Sequence, residues 1–220
     1  NNYMFNLLIT LISFTRKPCL IFFTGGSNFM PKHLYSTFLS TLENKFDIFK
    51  LDINSNYQNE INSLANKYNK INLIGHSSGC VTAINSCNKN VNRLILLDPV
   101  QTPTFKYKDI NFLEKVIIIN AEKSYKWSIL PPFFPFIPFL SIRESNLNLK
   151  NNKIIKTEIQ EFGHCDIIDY PWNNFMHYIR ISVGNYNRSD IVMKKYHNQI
   201  SKIILSRDYN FLEKEICIEF

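Results

Sequence analysis

The chain has 220 residues, 45% of them hydrophobic, and carries 25 Lys and Arg against 18 Asp and Glu for a formal net charge of +7. Length and apolar content suit one domain, 1–220, with an ample core. The positive charge does not read as a nucleic-acid footprint: the lysines are scattered among asparagines, as in "NKYNK", "NLNLKNNK" and "VMKKYHNQ", with no dense basic block and no arginine-rich arm, so no specific nucleic-acid partner is expected.

In chain order, residues 1–15 read as an extra strand or hairpin or as a residual targeting segment; the apolar run "MFNLLITLISF" is too short for a bilayer span. "CLIFF" (19–23) reads as a buried strand ending in the loop "TGGSN". Residues 31–45 place Leu34, Phe38, Leu39 and Leu42 on one helical face, with Pro31 suited to a first turn. "DIFKLDI" is a strand of period two, and 57–69 a helix through Ile61, Leu64, Ala65 and Tyr68. The strand "INLI", the turn "GHSSG" and a helix from Ser78 to about Cys87 follow, then the strands "RLILLD" and "KVIIIN". "KIIKTEIQ" is the last strand candidate, and helices run through "FMHYIRISV" and "DIVMKKYHNQISKIIL". Short β-rich runs alternating with helical patterns predict an α/β fold, a mostly parallel sheet with helices on both faces.

One segment breaks the alternation. In residues 124–152 the four prolines from Pro131 to Pro138 exclude an ordinary helix or a central strand. An apolar, proline-stiffened insertion between two strands reads as a cap beside a ligand site, with a loop packed on the core as the plainer alternative. Five cysteines, an odd number without CxxC pairs or metal-ligand spacing, read as buried free thiols. They favour an intracellular over a secreted setting, and no metal is expected.

"GHSSG" fits G-x-S-x-G, with Gly75, Ser77 and Gly79 in the fixed places, a strand before and a helix after. A turn this sharp holds its central serine at strained dihedrals and leaves no room for side chains two residues to either side. In that geometry Ser77 is a nucleophile at the head of a helix, and the Ser78 N–H points at a developing oxyanion. Taken alone, the pattern fits a helix-capping serine in a glycine turn equally well.

Its surroundings favour the nucleophile. "FFTGGSN" offers a second oxyanion donor after an earlier strand, with Gly26 the candidate; a phosphate-cradling nest is the rival, but no lysine completes a P-loop there. Of the five histidines only His164, in "IQEFGHCDIIDY", lies in a loop just after the last strand candidate, where a base could take the Ser77 proton. His76 lies inside the turn and packs beneath it, while His33, His177 and His197 fall on helices and read as surface or capping residues. Two carboxylates could orient the imidazole: Asp98, ending "RLILLDP", and Glu122, after the next strand. Where an aspartate would be expected after that later strand, the chain has Ser124. Asp166 and Asp169 stand too near His164 in sequence and read as caps of the following turn.

Together "LIGHSSG", "LLDPV" and "EFGHCDIID" resemble the α/β-hydrolase superfamily, and within it the chlorophyllase and chlorophyllase-like esterases, over about residues 18–205. The resemblance implies an α/β-hydrolase fold and a triad of Ser77, Asp98 and His164, which prefers Asp98 over Glu122. Two departures are visible: Cys80 stands where those enzymes often have a second glycine, and the first strand ends in "TGG" in place of a histidine–glycine start. The expectation is a serine hydrolase cleaving a carboxylic ester through an acyl-enzyme, with no cofactor. Phe133, Phe134 and Phe136 would line a site for a lipophilic substrate, and the same apolar stretch admits peripheral contact with a membrane or lipid surface. The alternative is a catalytically silent hydrolase fold that binds a lipophilic ligand or a protein.

Overall fold

A computed structural model describes residues 17–26, 28–51, 55–100, 109–126, 153–178 and 189–206, with backbone alone at 125, 126 and 177. Residues 1–15, the insertion beyond residue 126 with Phe133, Phe134 and Phe136, and the end of "FMHYIRISV" lie outside them.

Six strands form one all-parallel sheet: β1 (Cys19–Phe23), β2 (Asp47–Phe49), β3 (Ile71–His76), β4 (Val91–Leu97), β5 (Lys115–Ala121) and β6 (Ile154–Ile159). Their order is β2-β1-β3-β4-β5-β6. The expected α/β class with a parallel sheet is therefore present. β1 and β3 are buried at every position, as befits central strands covered on both sides.

Alternation along β1 sorts its side chains between two cores. Leu20 and Phe22 join Ile74, Ile95, Leu97, Ile117 and Ile119 on one face, while Cys19, Ile21 and Phe23 join Leu73, Leu94, Leu96 and Ile118 on the other. The first face is covered by α1 (Ser36–Ser40) and α5 (Asp190–Leu205), through Phe38, Leu39, Tyr196, Ile200 and Ile203. The second is covered by α2 (Tyr57–Ala65) and α3 (Gly79–Ser86), through Ile61, Cys80, Val81 and Ile84. Each such aliphatic or aromatic side chain taken fully from water stabilises the fold by roughly 1.5–3 kcal/mol. Helix α4 (Trp172–Tyr178) completes the described α-helices, and a 3-10 turn, Glu122–Lys126, follows β5.

Two segments are shorter than their sequence patterns. The helix expected over 31–45 is a 3-10 turn, Lys32–Tyr35, followed by the five residues of α1. The cause is local: Ser40 Oγ and Thr41 Oγ1 donate to the carbonyls of Thr37 and Phe38, competing with the helical backbone ladder. The apolar face is kept nonetheless, since Leu34, Phe38, Leu39 and Leu42 are all buried. Strand β2 covers the start of "DIFKLDI", whose last two residues lie outside the described ones, and among the described residues it pairs with β1 alone, at the edge of the sheet.

After β1 the chain moves outward to β2, then returns past β1 to lay down β3 and continue to β6. The direction of winding therefore reverses between β1 and β3. In open α/β sheets, ligands bind at the carboxyl ends of the strands that flank such a reversal.

Candidate active site

The loop after β1 and the turn after β3 meet at that end of the sheet. β1 and β3 are paired in register to the last residue of β1, Phe23 opposite Gly75, and β3 runs one residue further to His76, so Thr24–Gly26 and Ser77–Gly79 leave the sheet side by side. The approach is closer than any side chain allows. A Cβ on Gly79 would sit 2.3 Å from the Thr24 carbonyl oxygen and 2.6 Å from that of Phe23. On Gly75 it would meet the backbone of Cys80 at 2.7 Å. Both glycines of G-x-S-x-G are thus required by backbone contacts, one within the turn and one across to the neighbouring loop.

Between them Ser77 has φ +55°, a left-handed conformation that serine rarely adopts. Its backbone is tied to β4: Ser77 N–H donates to the Leu97 carbonyl at 2.9 Å, and Val100 N–H donates to the Ser77 carbonyl at 3.3 Å. Helix α3 starts directly behind it, with Cys80 N–H donating to the Ser77 carbonyl. The side chain is held out at the end of the sheet, 9% exposed.

Ser77 Oγ lies 2.8 Å from His164 Nε2. His164 is buried in the loop after β6, where the Gly163 N–H donates to Asp166 Oδ2 at 2.8 Å and the Asp166 N–H donates back to the Gly163 carbonyl. Asp166 therefore closes its own turn. Asp169 reaches further than expected: it accepts from Ser36 Oγ at 2.6 Å and from the Thr37 N–H, capping α1 rather than the turn after His164.

On the other edge of the imidazole, Nδ1 lies 3.7 Å from Asp98 Oδ2. Asp98 follows β4 at φ +45° and is buried. Its carboxylate is held from two sides, with Oδ1 accepting from the Ala121 N–H at 2.8 Å and Oδ2 from Ser124 Oγ at 2.6 Å. Glu122 is occupied elsewhere, its Oε2 accepting from the Glu161 N–H at 2.7 Å, which fastens the turn after β5 to the turn after β6. Of the two candidate acids, the fold brings Asp98 to His164.

Gly26 lies in the loop beside the turn, at φ +62°, a conformation suited to glycine. The Gly25 N–H donates to Tyr35 Oη at 3.1 Å. Asn28 supports the loop: its Oδ1 accepts from the Thr24 N–H, its Nδ2 donates to the Leu51 carbonyl and to Tyr57 Oη, and its N–H donates to the Thr24 carbonyl.

The remaining histidines divide. His33 is exposed on the 3-10 turn, and His177 lies in α4. His197 corrects its expectation: it is fully buried in α5, edge-on to Phe38, because α5 turns that side onto α1. His76 is buried beneath the turn as expected, and burial pulls its imidazole down to about 3. Cys19, Cys80, Cys87 and Cys165 are buried free thiols, and burial pushes Cys19 up to about 12 and Cys80 well above the ordinary thiol range. Among the described residues no cluster of His, Cys, Asp and Glu could hold a metal ion, and no helix is long and apolar enough to cross a membrane.

Sequence reasoning missed two participants. Tyr35 belongs to a helical segment chosen for its apolar face, and nothing local marks its hydroxyl as a partner of Gly25. Ser124 was visible only as the absence of a later-strand aspartate, yet its hydroxyl holds the earlier one. In comparisons with known proteins, no family model and no curated protein matches the chain.

Proposed function

We propose that the protein is a serine hydrolase of α/β-hydrolase fold that cleaves a carboxylic ester through an acyl-enzyme. The observation that carries this reading is the 2.8 Å contact from His164 Nε2 to the hydroxyl of Ser77, a serine held at φ +55° at the end of a buried central strand. The order Ser77, Asp98, His164 along the chain is the order of that superfamily.

In the reaction His164 Nε2 takes the proton as Ser77 Oγ attacks the ester carbonyl. Nε2 can accept only if Nδ1 carries the hydrogen, and Nδ1 is the atom that faces Asp98. The carboxylate favours that tautomer and the imidazolium that forms. The N–H groups of Gly26 and Ser78 stabilise the oxyanion, His164 returns its proton to the leaving alcohol, and water releases the acid by the same path reversed. These steps need no cofactor.

The apolar stretch Phe133–Leu140 motivates a lipophilic substrate such as an acylglycerol, a thioester or an isoprenoid ester. A silent hydrolase fold serving as a binding module is the second reading; the close Ser77–His164 contact favours the catalytic one. Hydrolysis of esters graded in acyl length and head group, with Ser77→Ala as control, tests the proposal. Turnover that rises with acyl length and vanishes in Ser77→Ala is expected. No turnover of any ester by folded protein would overturn the hydrolase reading, and activity confined to short, water-soluble esters would overturn the lipophilic one.

A further inference from the structure

Beneath the three residues assigned above runs a buried polar chain whose hydrogens can be placed from its partners alone. His76 Nε2 lies 3.0 Å from the backbone carbonyl oxygen of His164. A carbonyl oxygen only accepts, so Nε2 carries the hydrogen and Nδ1 is bare. Tyr35 Oη, 2.9 Å from Nδ1, therefore donates to it; Met30 Sδ, 3.4 Å from the same hydroxyl, is the weaker acceptor. The Tyr35 oxygen in turn accepts the Gly25 N–H. Hydrogens thus point one way along the series, from Gly25 to Tyr35, from Tyr35 to His76, and from His76 to His164.

Both ends of this series lie in the catalytic machinery. Gly25 adjoins Gly26, the donor assigned to the oxyanion, and the His164 carbonyl belongs to the residue whose ring faces Ser77. We propose that His76 is a positioning residue: through Tyr35 it locks the loop after β1 to the backbone of His164, so that base and oxyanion donor keep one fixed separation about Ser77. This rests on the hydrolase reading for its catalytic consequence and on hydrogen-bond geometry alone for its structure.

The electrostatics agree. The His76 ring lies over that of His164, with centroids 5.0 Å apart and planes tilted by 32°. During acyl transfer His164 becomes a cation, and a second imidazolium at that distance would oppose it. Burial holds His76 neutral across the working range, so it neither repels that charge nor competes for the Ser77 proton. Both His76 nitrogens are bonded, and in one sense only. Gly25 contributes by its smallness, since a Cβ there would stand 3.1 Å from Tyr35 Oη and 3.3 Å from His76 Nδ1.

Two measurements on the intact chain test this. In long-range nitrogen–proton NMR spectra of the wild type, His76 is expected to show the Nε2–H tautomer, unchanged from about pH 5 to about pH 9. The Nδ1–H tautomer, or titration within that range, would overturn the proposal. In ester hydrolysis, His76→Leu is expected to lower kcat about ten- to a hundred-fold with KM little changed, the scale of a misplaced catalytic group. His76→Gln, whose carboxamide can accept from Tyr35 and donate to the His164 carbonyl, is expected to recover most of that loss. Wild-type kcat in His76→Leu, or equal loss in both variants at equal Tm, would overturn it.

Should His76→Leu fail to fold, Tyr35→Phe keeps the ring and removes only the hydroxyl; it is expected to show the same fall in kcat, and an unchanged kcat would be contrary. The NMR measurement needs no substrate. A wild type that hydrolyses no ester would sink the hydrolase reading, while the tautomer of His76 would still decide this one.

Discussion

Ser124 Oγ donates to Asp98 Oδ2 at 2.6 Å, the same oxygen that faces His164 Nδ1 at 3.7 Å. A hydroxyl from the turn after β5 thus holds a carboxylate that belongs to the end of β4. This arrangement brings a carboxylate from the end of β4 to an imidazole at the end of β6, and under the proposed function it predicts unequal effects of substitution. Asp98→Asn should slow ester turnover by orders of magnitude, ~10⁴-fold by analogy with other triads. Glu122→Gln should leave kcat within a few-fold, because that carboxylate fastens the Glu161 N–H instead. Ser124→Ala should fall between them. Steady-state kinetics decide the order, and a crippled Glu122→Gln beside a mild Asp98→Asn would reverse the assignment.

The glycines offer a graded test of the turn. Gly79→Ala would push a methyl to 2.3 Å from the Thr24 carbonyl oxygen, and Gly75→Ala to 2.7 Å from the backbone of Cys80; the first cannot yield without moving the end of β1, nor the second without moving the start of α3. Each is expected to cost more than about 4 kcal/mol or to abolish folding. Gly26→Ala meets its nearest atom at 3.7 Å, so only the strain of its φ of +62° remains, about 1–2 kcal/mol. Chemical denaturation of the three variants should give that ranking, and equal losses would contradict it.

Acid stability follows from the buried histidines. His76 falls from the ordinary 6.5 to about 3, and burial lowers His197 as well. The unfolded chain takes up these protons below about pH 6.5 while the fold refuses them. The stability tied to their neutrality is therefore complete above that pH and is lost as the pH falls below it, for His76 down to about 3. Each histidine adds a slope of at most about 1.4 kcal/mol per pH unit. Unfolding free energy measured from about pH 6.5 to about pH 4 should fall less steeply in His76→Gln than in the wild type. Parallel curves would contradict the shift.

What the sequence disclosed depended on range. The buried strands and α5 were legible because each is a continuous or periodic apolar pattern, and Ser77 because backbone sterics force glycines to either side of it. Within its segment, His164 was legible from a glycine and a strand end. The helix of residues 31–45 was misread because hydroxyls of Ser40 and Thr41 compete with the backbone, an effect that apolar periodicity does not register. The choice between Asp98 and Glu122 was not legible from local pattern, since it turns on Ser124 and Glu161, which lie 26 and 39 residues away from their respective partners. The burial of His197 likewise depends on α5 meeting α1 across the sheet face.

Covalent labelling by a fluorophosphonate probe addresses the nucleophile itself, independently of any natural substrate. Intact-mass analysis of the wild type should show one adduct, mapped by peptide sequencing to Ser77, with labelling slowed by orders of magnitude in His164→Ala and absent in Ser77→Ala. Folded wild-type protein that gains no adduct, or gains one at another residue with Ser77 unmodified, would contradict the assignment of Ser77 as a nucleophile activated by His164.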